Sequence, residues 1–224
     1  MDRHLTYLQA LGIPSWRQRQ PIDHQPINHQ IVEIPVPNDA WETLQQSVTQ
    51  CTACGLHKTR TQTVFGVGNK QAELMVIGEA PGYHEDQQGE PFVGRAGQLL
   101  TEMLKAIGFE RQQIYIANIL KCRPPNNRDP QAEEVALCTP FLDKQIALIK
   151  PRLLLAVGRI ATHYLLKTKS SLESLRTKQH SYGEQAIPLI VTYHPAYLLR
   201  NPSDKKKAFL DLRFVIKTLR SVDS

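Results

Sequence analysis

The chain has 224 residues, 41% of them hydrophobic, enough for one domain with a full core plus an appendage but not for two such domains. Its 27 Lys and Arg against 21 Asp and Glu leave a net charge of +6, an excess that permits a polyanionic partner without demanding one. No apolar run approaches the roughly 18 residues of a membrane span, and the opening MDRHLTYLQALGIPSW lacks the apolar stretch of a signal peptide, so a cytoplasmic protein with no membrane attachment is expected.

Residues 1–38 differ from the rest. Pro14, Pro21, Pro26, Pro35 and Pro37 punctuate a segment rich in Gln and His with little apolar periodicity, which predicts a largely disordered extension. Within it Tyr7, Leu8 and Leu11 fall on one face of a possible short helix, the form of a partner-binding peptide, although a plain tail is the preferred account. Residues 39–224 read as a single domain. Strand-like runs recur at Leu74–Ile77, Ile114–Ile119, Leu153–Val157 and Ile187–Thr192. Helical periodicity fills Ala96–Ile107 and Glu133–Ile149 between them, and a last helix is expected from Ser203 as N-cap, burying Phe209, Leu212, Val215 and Leu219. This alternation predicts an α/β fold, a three-layer αβα sandwich around a central, mainly parallel four-stranded sheet.

Ligands on such sheets gather at the carboxyl ends of the strands. Those ends read Gly78-Glu79-Ala80-Pro81, Asn118, Gly158-Arg159 and His194-Pro195, so four separated segments deliver an acid, an amide, a tight turn and an imidazole to one rim. The loop after the first strand, GEAPGYHEDQQGEPFVGRAGQLL, is no phosphate cradle: it carries Glu79, Glu85, Asp86 and Glu90 and a lone Phe92. Carboxylates and an aromatic suit a neutral, planar ligand with polar edges. An Asn can pair with the N3–H and O4 edge of a pyrimidine, Phe92 can stack on its ring, and a neutral His can stabilise negative charge on a departing base. Taken singly, Asn118 and His194 also have ordinary structural readings as a satisfied backbone partner and a packed core histidine.

Four cysteines remain. Cys51-x2-Cys54 has the spacing of a metal knuckle, and Cys122 and Cys138 complete a set of four thiolates suited to tetrahedral zinc or to an iron–sulfur cluster; the bland alternative is buried thiols and a chance CxxC.

The loop just quoted, the segments YIANILKCRPPNNRDP and TYHPAYLLRNP, and the four cysteines together resemble the family 4 uracil-DNA glycosylases, the iron–sulfur-containing bacterial and archaeal class, from about Trp41 to the C-terminus. The resemblance implies that Gly78, Glu79 and Ala80 line a uracil pocket with Glu79 orienting or activating water. It further implies that Phe92 stacks on the base, Asn118 reads uracil against cytosine and His194 stabilises charge at O2. Cys51, Cys54, Cys122 and Cys138 would hold a [4Fe–4S] cluster. Where the cluster-free class has a water-activating Asp this chain has Ala80, and where that class excludes thymine with a Tyr it has Gly82. Glu85 is then a candidate guard of the C5 edge.

The implied activity is removal of uracil flipped out of single- or double-stranded DNA, leaving an abasic site to start base excision repair. No Lys is placed as a Schiff-base nucleophile, so a monofunctional enzyme is expected, acting as a monomer. Leu198, Leu199 or Arg200 would fill the vacated stack. Lys205 and Lys206, with Lys207, sit where a helix dipole disfavours cations and a phosphate would be welcome, and Arg123, Arg128, Arg159 and Arg176 are further candidates for the backbone grip. Two other readings stand beside this one: a related cluster-bearing glycosylase of broader base specificity, and a protein that grips uracil-DNA without turnover. A covalently trapped relative carries Gln at the Ala80 position and a basic loop with a histidine; Ala80 and SLRTKQHSYGE argue against it, while His180 keeps the comparison open.

Overall fold

Residues 38–221 are described by a computed structural model of the chain. The expected extension over residues 1–38, with its Tyr7–Leu8–Leu11 face, lies outside them apart from Asn38, which opens the first helix. The strands are β1 Val67–Gly68, β2 Leu74–Gly78, β3 Tyr115–Asn118, β4 Leu153–Val157, β5 His180–Tyr182 and β6 Ile187–Thr192. The helices are α1 Asn38–Thr49, α2 Tyr83–Gln88, α3 Arg95–Lys105, α4 Ala132–Ile149, α5 Arg159–Leu165, α6 Leu172–Leu175, α7 Pro195–Arg200 and α8 Lys205–Ser221.

The sheet order is β1-β3-β2-β4-β6-β5. The four expected strands form its parallel centre, and β1 and β5 add short antiparallel edges, so the sheet has six strands. Two- and three-residue edge strands carry too little alternation to stand out from loop sequence. Every residue of β2 and β4 is buried, as a sheet covered on both faces requires. Successive side chains divide between the faces. Met75, Ile77, Leu154 and Ala156 pack with Trp41 and Leu44 of α1, Leu142 and Ile146 of α4 and Leu165 of α5. Leu74, Val76, Leu153 and Leu155 pack with Leu100 and Leu104 of α3 and Leu212 and Val215 of α8. Each such fully buried aliphatic side chain contributes about 1.5–3 kcal/mol over an exposed one.

Register then builds the rim. Gly78 stands opposite Asn118 and Val157 opposite Thr192, so all four parallel strands end along one edge. The chain leaves β2 for β3 on one side and returns to β4 on the other, and that reversal opens a crevice above β2.

Two expectations about the C-terminal part are corrected. A 3-10 turn, Pro202–Asp204, precedes α8, and Phe209 is 44% exposed, because Ala208, Leu212, Val215 and Leu219 form the buried stripe. The sequence spacing fits either stripe, and the small Ala208 is the one that allows close approach to the sheet. Arg176, a candidate for phosphate contact, is instead buried. Its Nε and Nη2 donate to Asp211 at 2.8 and 3.0 Å, Nη1 donates to Glu173 at 3.0 Å, and the guanidinium lies 4.4 Å from the Tyr193 ring centroid. Thr192 Oγ1 also donates to Asp211, at 2.8 Å, so this network ties the end of β6 to α8 immediately before Tyr193 and His194. Removing one partner would strand a buried charge, at a cost of about 3–5 kcal/mol.

Candidate active site

A cleft of about 470 Å³ lies at this rim. Of the expected residues, Glu79, Ala80, Glu85, Phe92, Asn118, His194 and Arg200 line it; Asn127, Asp129 and Tyr197 join them from segments not singled out for the pocket. The first five of the expected set arrive on four elements: the β2–α2 turn, helix α2, the loop before α3, and the last residue of β3.

Asn118 is 2% exposed, and its side-chain oxygen Oδ1 has no hydrogen-bond partner. A buried acceptor left unmet costs about 1–3 kcal/mol, so an orphan of this kind marks a place reserved for a donor. Gly78 creates the room: a Cβ there would fall 2.4 Å from Asn118 Oδ1 and 2.6 Å from Phe92 Cζ. Phe92 sits at φ +55°, a left-handed conformation that costs a non-glycine residue about 1 kcal/mol or more. Gly97 of α3 lets the helix approach, since a Cβ at that position would meet the Phe92 carbonyl oxygen at 1.8 Å. The aromatic ring is thus fixed from the backbone side.

His194 caps α7. Its Nδ1 accepts from the Ala196 N–H at 3.1 Å, and Pro195 at the first helical position lacks the N–H that would otherwise be left unpaired. With Nδ1 accepting, the neutral ring carries its proton on Nε2. Burial, reinforced by Arg200 and opposed by Glu85, depresses the imidazole to about 4, so the ring is neutral at physiological pH. The Phe92 and His194 rings lie 5.7 Å apart at 31°. Gly158 makes room behind the histidine: a Cβ there would come 2.8 Å from His194 Cβ, and its φ of +94° disfavours other residues.

Glu79 behaves as the opposite kind of group. Burial first and the Asp129 carboxylate second push its carboxyl up to about 7, against the pull of the Arg159 guanidinium. Asp129 itself is exposed and paired with Arg159 at 3.2 Å. Glu85, on α2, is held against the loop before α3 by the N–H groups of Val93 and Gly94, both donating to Oε1 at 3.0 Å, and Gly82 leaves space for Oε2, which a Cβ would meet at 2.8 Å. Asp86 turns away to accept from the Thr61 N–H.

Around the mouth the structure sorts the remaining candidates. Leu198 is 0% exposed and packs in the core with α3 and α8, which removes it as an exposed wedge; Leu199, at 37%, and Arg200 remain on the outer side of α7. A step of one residue, about 100° around the helix, sends these adjacent leucines in different directions, and spacing alone does not decide which turns inward. Lys205 and Lys206 are exposed, while Lys207 pairs with Asp204 at 3.2 Å. Arg128 is engaged by the buried Glu134 carboxylate and Arg159 by Asp129, whereas Arg123 lies over the Tyr83 ring.

The four cysteines line a second hollow with Leu56, Leu137 and Phe141. No group of three or more His, Cys, Asp or Glu among the described residues could hold a single metal ion. Two sulfurs already receive hydrogen bonds of the kind that thiolate ligands take: Arg60 Nη1 donates to Cys122 Sγ at 3.0 Å, and the Lys121 N–H to Cys138 Sγ at 3.2 Å. Lys121 was not anticipated. Its ammonium is buried and donates to the Asn118 carbonyl at 2.9 Å and to Gln145 Oε1 at 2.6 Å, joining the end of β3 to α4 beside the cysteines. A lysine inside the run ILKC was the available signal.

Comparison with known proteins follows the same lines. The model of the uracil DNA glycosylase superfamily matches residues 65–214. The chain is 45% identical over 175 residues to a type-4 uracil-DNA glycosylase of Sulfurisphaera tokodaii, covering 75% of this chain and 80% of that one. It is 45% identical over 170 residues to a type-4 uracil-DNA glycosylase of Thermotoga maritima, covering 75% and 87%. A type-5 uracil-DNA glycosylase of Pyrobaculum aerophilum is 29% identical over 146 residues, or 58% of this chain and 64% of the other.

Proposed function

Because the chain belongs to the uracil-DNA glycosylase superfamily, in its type-4 family, we propose that the cleft receives a uracil flipped out of DNA and that its residues promote hydrolysis of the N-glycosidic bond. The observation that carries this reading is the orphaned Asn118 Oδ1 beside Phe92, an acceptor awaiting the N3–H of a stacked uracil. The same amide offers N–H to O4, and cytosine presents the reverse pattern on both atoms. His194 Nε2–H donates to O2.

As the C1′–N1 bond breaks, its electron pair leaves with the base, and the negative charge spreads onto O2, where the neutral imidazole donor stabilises it more than in the ground state. Water then bonds to C1′ and releases a proton to the Glu79 carboxylate. A path in which bond breaking leads asks little of that base, so the pocket's donors supply most of the rate. Incubation with duplexes holding U opposite G, U opposite A and T opposite G, followed by free-base analysis, tests the reading: uracil is released from the first two and thymine is not. Release of hypoxanthine or ethenocytosine at comparable rates would instead assign the broader specificity of the related class.

The Glu79 carboxyl gives a pH signature. Below about 7 it holds its proton and cannot accept another, so uracil release rises with pH along a one-proton limb centred near 7. Glu79→Gln lowers the plateau by up to about 10²-fold and removes the limb. A limb that persists in Glu79→Gln belongs to another group.

Cys51, Cys54, Cys122 and Cys138 would hold a [4Fe–4S] cluster. Four sulfurs around one zinc stand about 3.8 Å apart, from bonds of ~2.3 Å at tetrahedral angles. A set that does not close on a single ion suits the larger group better, and the Arg60 and Lys121 donors suit its anionic sulfurs. The cluster would brace the loop after β3; base excision calls on no electron transfer. Cys122→Ser should abolish the broad visible absorption of the purified protein, and an unchanged spectrum with stoichiometric zinc would reassign the site. Leu199, Arg200, Lys205 and Lys206 are exposed residues suited to the DNA gap and backbone.

A further inference from the structure

Tyr83 is 54% exposed, the most exposed large hydrophobic side chain among the described residues. It stands between Gly82 and Glu85, both of which line the cleft. Arg123 covers one face of its ring, with the guanidinium carbon 5.0 Å from the centroid, and the His84 ring meets it edge-on at 5.5 Å and 78°. A tyrosine so covered and still half exposed has its other face open. Arg123 is held in turn: its Nε donates at 2.7 Å to Oδ1 of Asn127, another cleft-lining residue. Asn127 and Asn126 occupy consecutive left-handed conformations, φ +53° and +55°, which only a constrained loop maintains. None of these contacts belongs to the core or to the uracil-reading set.

We propose that Tyr83, backed by Arg123, is a stacking platform for the base next to the flipped uracil on the same strand, when that strand is single. The inference rests on the uracil-excision reading of the cleft. Flat aromatic faces bind unpaired bases without sequence preference, and a guanidinium behind the ring adds attraction for the flanking phosphate. A neighbouring base in a duplex is already paired and stacked and has no need of the platform. Its continuity with the cleft through Gly82, Glu85 and Asn127 places the neighbouring nucleotide, rather than a remote one, on Tyr83.

The test is single-turnover uracil release at increasing enzyme concentration, from a single-stranded oligonucleotide and from the same strand annealed to its complement with A opposite U. Tyr83→Ala should raise the half-saturating concentration about five- to tenfold on the single strand, the low end of a base–aromatic stack, and less than about twofold on the duplex. Tyr83→Phe and Tyr83→Trp should retain parental values, and Arg123→Gln should raise the single-strand value and flatten its salt dependence. Replacing the nucleotide on one side of uracil by a baseless spacer should erase the difference between parent and Tyr83→Ala, and the side that does so identifies the neighbour. Parental behaviour of Tyr83→Ala on the single strand, equal losses on both substrates, or a loss that survives spacers on both sides each overturn the platform. A parent that releases no uracil from either substrate fails the excision reading itself, so the two failures are distinct.

Discussion

Asn118→Asp should lower uracil release by about 10²-fold or more and make cytosine release measurable from the same duplex context. The amide meets uracil with one acceptor and one donor; a carboxylate offers only acceptors, loses the bond to O4 and sets its charge against that oxygen's lone pairs. A site that hydrogen-bonds a polar edge penalises the wrong edge steeply, because its own buried groups are then left unpaired. The fraction of the new carboxyl that holds a proton, which burial enlarges, can donate to N3 of cytosine and accept from N4, so cytosine release should grow as pH falls while the ionised fraction loses uracil. Chromatography of released bases from U·G and C·G duplexes reads both effects. Equal uracil release by variant and parent would remove Asn118 from the pocket.

His194→Ala should reduce the single-turnover rate by about 10²- to 10³-fold with little change in half-saturation, as expected for a donor that matters most when charge develops on the base. Once Glu79→Gln has removed the limb near 7, no histidine limb near pH 6.5 should remain, because the ring stays neutral down to about 4. Stability carries the matching sign. The unfolded chain takes up a proton on this imidazole below about 6.5 and the folded chain does not, so the contribution is whole above about 6.5 and declines as pH falls toward 4. Denaturant titrations of parent and His194→Ala at pH 7 and pH 5 should therefore show a smaller acid loss in the variant. An identical loss in both would move the effect elsewhere.

The central strands were legible because β2 and β4 are apolar at every position, the mark of a sheet buried on both sides, and their ends named the rim. Glu79, Asn118 and His194 could be placed together from strand ends, since parallel strands in register bring those ends to one edge, and Phe92 from the loop that follows the first of them. Details that depend on tertiary contact were not. Whether Leu198 or Leu199 turned inward, and whether Ala208 or Phe209 faced the sheet, depended on packing that periodicity leaves two ways open. Arg176 read as a phosphate-gripping cation and Lys121 drew no reading, since only the fold brings Asp211 and Gln145, 35 and 24 residues away, to them as partners that make burial tolerable. Asp129 escaped notice for the same reason: only the fold sets its charge near Glu79.

The left-handed turn at Phe92 has a bearing on how selectivity evolves. Because Gly78 leaves space for that ring and Gly97 for its backbone before any nucleotide arrives, the cost of ordering it is met while the polypeptide collapses, not during catalysis. A pocket so rigid tolerates few neighbours, and drift at either glycine would blunt recognition without altering a single group that touches the base.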